Sequence, residues 1–160
     1  MRDDPDRARS LADEALDAAM SVDNLVAIGM AIASSSLLDL ATGQLDDAAR
    51  RLLRAIDYAE RVRAIAIVRG QCVPVAVTLL ETSGAAEAAA ILSETVLTSD
   101  SAGTSFLPFL QSVEDLRERL GEDKFALFAS RGEALSDDEL CALLRRELES
   151  YLANSADVGA

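Results

Sequence analysis

An all-α fold of antiparallel helical hairpins, of the kind seen in tetratricopeptide (TPR) repeats, is the architecture this sequence predicts. Three observations lead there. Nearly every segment of the 160 residues places its apolar side chains at the helical period, and none alternates at period two. Half the residues are hydrophobic but only 4% are aromatic, with no Trp, so the interior must be Ala, Leu, Val and Ile. Side chains this small let helix axes approach closely. Finally, matching apolar triplets recur at a constant offset along the chain.

The first helix is expected over residues 5–20, with Ala8, Leu11, Ala12, Ala15, Leu16 and Ala19 on one face and Asp13, Glu14 and Asp17 off it. A second spans 22–41; its uncharged middle predicts burial on more than one side, and Gly43 stops it. The third, 44–62, opens on Asp46 and Asp47, which suit the positive end of a helix dipole. The fourth, 65–82, contains Pro74, which predicts a kink or break near Cys72–Val73. Gly84 ends it, and a fifth helix covers 85–98.

Ser99–Ser105 (SDSAGTS) reads as a loop. Pro108 fits the first turn of a sixth helix, which Gly121 terminates as a C-cap glycine. Glu122 and Asp123 open a short helix in which Phe125 and Phe128 face the core and which Gly132 closes. Ser136 and Glu139 make an S-x-x-E capping box for a last helix, 137–153, that buries Leu140, Leu143, Leu144, Leu148 and, at its end, Leu152. Residues 155–160 read as a frayed tail.

The offset is 40 residues. Asp46–Ala55 reads DDAARRLLRA and Ala86–Thr95 reads AEAAAILSET; Ala48, Leu52 and Ala55 align with Ala88, Leu92 and Thr95, and 88 − 48 = 40. The same shift backwards finds Ala8, Ala12 and Ala15. The spacing is that of the second helix of a TPR pair, with a period longer than the usual ~34 and nearer that of HEAT-type arrays. Helix 22–41 then pairs with 44–62, and 65–82 with 85–98. Helix 5–20 matches a second member with no first member before it. Either it is itself an acidic cap or the chain is the tail of a longer solenoid. The organisation expected is a helical-repeat segment over 1–98 and a closing segment of the same array over 99–154.

A net charge of −13 and a pI near 4.3 argue against nucleic acid and against anionic membrane surfaces as partners. The N-terminus, MRDDPDRARS, is no signal peptide, and the longest charge-free run, Asn24–Leu38, is too short to span a bilayer; a cytoplasmic location is expected. Cys72 and Cys141 stand at no metal or redox spacing and read as two reduced, buried thiols.

Without His there is no Ser-His or Cys-His nucleophile, and no serine lies in a G-x-S-x-G elbow. The acid pairs Asp3/Asp4, Asp46/Asp47 and Asp137/Asp138 fall at helix starts, where dipole complementation accounts for them. No catalytic residue, cofactor or metal site is expected. Arg50, Arg51, Arg54, Arg61 and Arg63 form the one basic concentration. They pair locally with Asp46, Asp47, Asp57 and Glu60, or Arg50, Arg51, Arg54 and Arg61 receive an acidic partner segment or a phosphorylated ligand. Phe106, Leu107, Phe109 and Leu110 read as core rather than as a docking patch.

The run LRERLGEDKFALFASRGEALSDDEL, with Leu120, Gly121, Phe125, Gly132, Ala134, Leu135, Ser136 and Glu139 in register, resembles the end of the helical-repeat arm in actinobacterial MalT-like and AfsR-like signal-transduction ATPases. Relatives in that family carry LuxR-type DNA-binding or nucleotide-cyclase domains. The chain has no G-x-x-x-x-G-K-[ST] phosphate loop and no basic helix-turn-helix after residue 140, so neither ATP hydrolysis nor DNA binding follows from the resemblance. It implies the arm alone: a non-catalytic interaction and signal-receiving module. Its partner would be another protein or an upstream ATPase domain, with a homodimer through the N-terminal helix as a further expectation. Two alternatives stay open: a small-molecule sensor whose helices 22–41 and 65–82 line an apolar cavity, and a remnant of a truncated regulator.

Overall fold

A computed structural model describes residues 5–97 and 107–158. Eight helices and no strand occur among them: α1 (Pro5–Ser21), α2 (Leu25–Ala41), α3 (Leu45–Arg61), α4 (Ile65–Thr82), α5 (Ala86–Leu97), α6 (Leu107–Leu120), α7 (Glu122–Glu133) and α8 (Asp137–Val158). The all-α expectation holds. The loop expected at Ser99–Ser105 and the placement of Phe106 lie outside the described residues.

The first four connections are built alike. The N–H groups of Asn24, Gln44, Ala64 and Ala85 donate to the carbonyls of Ala19, Asp39, Ala59 and Leu80, at 3.1, 2.8, 2.8 and 2.9 Å. Each bond reaches back five residues, the six-to-one link of a Schellman turn. The residue before each donor carries a positive φ: Asp23 (+50°), Gly43 (+76°), Arg63 (+54°) and Gly84 (+87°). The stride between them is 43 − 23 = 20, 63 − 43 = 20 and 84 − 63 = 21. Two helix-plus-turn units therefore span 40 residues from Asp23 to Arg63 and 41 from Gly43 to Gly84, so the 40-residue register expected from the sequence is one residue short between α3 and α5. All four acceptor residues are buried, which fixes each turn against the core.

Successive helices pack as neighbours from α1 to α5, but the remainder is not a simple continuation of the stack. α6 lies on α4, α5 and α7, and α7 lies chiefly on α5. α8 returns to α3 and α4. It runs antiparallel to α3: Arg145, in its first half, binds Asp57 at 2.7 Å and also Glu60, while Tyr151, further on, meets Asp46. Leu140, Leu144 and Leu148 of α8 are fully buried there. The inner surface that an open array would offer beside α3 is thus occupied by the chain's own last helix.

The interruption expected near Cys72–Val73 is present as a change of helix type: α4 widens into a π-helical stretch, Val68–Cys72, in which the Val73 N–H reaches the Val68 carbonyl, and returns to α-helical geometry at Val73; the extra residue per turn takes up the bond and the space that the proline ring removes. Two further expectations are corrected. Gly132 does not close α7 by left-handed geometry; it is buried inside the last turn, where any Cβ would collide with the Ile91 carbonyl of α5. α8 continues to Val158, past the expected frayed end at 155.

The run Ser34–Ser36 in the apolar α2 is accommodated because Ser35 and Ser36 donate to the Ala31 and Ala33 carbonyls. α4 is long and apolar enough to cross a membrane, but 61% of it is buried among its neighbours and it carries Arg69 and Glu81, as a core helix does.

Candidate functional site

The arginines singled out in the sequence divide between two sides of α3. Arg50 stays on its own helix, 3.3 Å from Asp47 and 3.7 Å from Asp46. Arg51 turns inward to Asp39. Arg61 stacks over Tyr58, 5.7 Å from the ring centre, and Arg54 faces solvent. Arg50, Arg54 and Arg61 recur at i, i+4 and i+11 and so share the outer side of α3. Other basic residues act as ties between helices: Arg69 to Asp137 (2.8 Å), Arg119 to Glu81 (2.9 Å) and Arg131 to Glu87 (2.7 Å).

A feature the sequence reading missed is Asp39, whose side chain is fully buried. Arg9 of α1 approaches one carboxylate oxygen at 2.8 Å and Arg51 of α3 the other at 2.6 Å. Neither approach is aligned as a hydrogen bond, so the carboxylate is held by charge from two sides. Its signal was present: Asp39 is the only charged residue in Leu25–Ala41. The cluster joins α1, α2 and α3 at one point.

Two open grooves flank α8. One, of about 770 Å³, runs between α5 and α8 over Ala88, Ile91, Leu135 and Leu143, with the Glu87–Arg131 pair on its rim. The other, of about 500 Å³, lies where Ala59, Arg63 and Val68 face Asp138 and Cys141. Burial, then the Glu60 carboxylate, pushes the Cys141 thiol up to about 11; Cys72, more deeply buried, is pushed up to about 12. Both are held as neutral thiols rather than as nucleophiles. Burial opposes the charge of Arg145, but Asp57 and Glu60 outweigh it and hold the guanidinium above its ordinary value. Burial and the Asp46 carboxylate raise Tyr151. Among the described residues no group of three or more His, Cys, Asp or Glu is placed to hold a metal ion.

The capping box is present as expected. The Ser136 N–H and hydroxyl both donate to one Glu139 oxygen, at 2.8 and 2.6 Å, and the Glu139 N–H returns to the Ser136 hydroxyl at 3.3 Å. Those bonds hold the Glu139 carboxyl below its usual range.

The apolar residues left uncovered gather on the first hairpin. Among the described side chains of α1 only Ala19 is buried, with Ala8, Ala12 and Leu16 half-buried, so the expected six-residue face is split. Leu11, Ala15, Ala18 and Val22 follow at spacings of four, three and four and stay exposed, Leu11 at 56% and Val22 at 71%. Val26 and Met30 of α2 are also exposed. At the other end of the fold, Phe109 and Phe125 enter the core, Phe128 is half-buried, and Leu107 and Leu110 are exposed rather than core.

Comparison of the chain with protein families, with curated proteins and with solved structures finds no match.

Proposed function

We propose that this chain is a non-catalytic, TPR-like helical-repeat interaction module, of the sort that forms the signal-receiving arm in MalT-like and AfsR-like regulators. The observation that carries the reading is the exposed apolar row Leu11–Ala15–Ala18 of α1, continued by Val22 in the turn that follows it. Apolar side chains exposed in a row are a common mark of a contact surface. The regular turns support the repeat reading, and the closing run Leu120–Glu139, with its capping box formed, supports the resemblance. The inner side of the array is filled by α8, so the partner is met at the α1 end rather than in a concave groove.

The test pairs light scattering with an environment-sensitive apolar dye. The wild-type chain binds the dye, and the double variant Leu11→Glu/Val22→Glu loses that binding while keeping its helical circular dichroism and melting temperature. Equal dye signals from the two proteins would sink the reading. A metabolite that raises the melting temperature by binding the grooves beside α8 would favour a small-molecule sensor instead.

A further inference from the structure

The repeat shows what kind of object fits the uncovered strip. Shifted by 40 residues, Ala15 and Ala18 of α1 become Ala55 and Tyr58 of α3. In α3 those two positions are where α2 lies: a Cβ built on Gly29 of α2 would stand 3.4 Å from the Tyr58 Cβ and 3.9 Å from the Ala55 carbonyl. Ala55 is fully buried as a result, and Tyr58 is half-buried. One unit further on, where the turns set a stride of 84 − 43 = 41, Val96 of α5 occupies the same place and is 2% exposed. At the Ala15 position, the face that is covered in α3 and α5 is open in α1.

From this we infer that the Ala15/Ala18 face of α1 is a seat for one more antiparallel helix, lying on α1 as α2 lies on α3. This rests on the interaction-module reading and names the chemistry of the partner. The occupant is a helix presented by a partner protein, uncharged along its contact side and carrying Gly or Ala where it crosses Ala15. The small residue is required because a Cβ at the Gly29 position would already be in van der Waals contact with the Tyr58 Cβ, so a longer side chain would press on the facing helix.

The contact side is uncharged for a second reason. Where α3 has Arg51 to meet the buried Asp39 of α2, α1 has Leu11. A carboxylate on the incoming helix at the Asp39 position would face Leu11 in place of a guanidinium. A second copy of this chain is a poor occupant. Its α2 is already packed against α1, α3 and α4, and two α1 helices packed antiparallel would set the Glu14 borders against each other.

The experiment supplies the helix in cis. A copy of residues 22–44, with Asp39→Leu to match Leu11, is fused directly ahead of Pro5 of the full chain, so that its turn leads into α1 as Thr42–Gln44 lead into α3. A control fusion carries Gly29→Leu in the copy. The expected result is a melting temperature raised by about 3 °C or more and α1 amide exchange slowed about tenfold or more. The control is expected to show neither change. Unchanged α1 exchange in the fusion would overturn the seat, as would a parent chain already dimeric through α1 by light scattering. Equal protection in both fusions would refute the small-residue requirement while leaving the docking surface in place. If the dye assay on the parent chain also shows no apolar strip, the interaction-module reading falls together with the seat.

Discussion

The two ends of this molecule are made from similar residues and reach opposite outcomes. α1 and α8 are both amphipathic, and both pack on a helix of the central α2–α3–α4 group. α8 buries Leu140, Leu144 and Leu148 completely and is tied by Arg145 to two carboxylates of α3. α1 fully buries a single alanine, Ala19, and its tie is Arg9, reaching Asp39 and Gln44. The difference lies in where the large side chains sit. Leucines at i, i+4 and i+8 make one narrow, well-filled row, whereas α1 spreads Ala and Leu around more than one face and has a neighbour for only one of them. The same composition can close a fold or leave it open, depending on that arrangement.

That contrast can be broken most severely at the closed end. Gly132→Ala would drive a methyl group into the Ile91 carbonyl, and backbone cannot yield as a side chain can. The expected loss is about 3 kcal/mol or more, seen as a large drop in the urea midpoint or as failure to fold.

Next comes the Asp39 cluster. The double variant Arg9→Ala/Arg51→Ala strands a buried carboxylate and is expected to cost about 3 kcal/mol. Asp39→Leu, which removes the charge itself, should cost distinctly less by the same denaturation measurement.

A smaller effect is expected from alkaline pH. Cys72 and Cys141 both ionise less readily in the fold than their ordinary value near 9. A raised folded pKa gives stability that is complete below that ordinary value and is lost as pH rises toward 11 and 12. Unfolding midpoints should therefore hold level up to about pH 8.5 and fall above it, and Cys72→Ala should flatten the fall.

The smallest effect is a gain. Arg63 holds a bulky side chain at φ +54°, in a turn whose counterparts Gly43 and Gly84 have none, so Arg63→Gly should stabilise by about 0.5–1 kcal/mol.

The helices themselves were legible in the sequence because local signals agree with tertiary demand. The S-x-x-E box, Gly43, Gly84 and Gly121 each mark a boundary that the structure respects within a few residues. What could not be read was which of several available faces a helix would use. In α1, Leu11 and Ala15 belong to the apolar set but have no neighbour; in α6, Leu107 and Leu110 flank the buried Phe109 yet stay in solvent. Periodicity reports that a face is apolar, whereas its coverage depends on other elements.

The sides on which the arginines lie were illegible for a similar reason. Neighbours in sequence, Arg50 and Arg51 point to different sides of one helix, and only Arg51 reaches the buried Asp39. Gly132 misled because a helix-terminal glycine and a close-approach glycine look the same in one dimension.

Hydrogen exchange resolved along the chain tests the open-end, closed-end contrast most directly. If α1 is held on one side only while α8 completes the core, amides of residues 10–20 should exchange well before those of α3, and residues 140–150 should exchange with α3. Protection of α1 equal to that of α3, with α8 opening first, would contradict it.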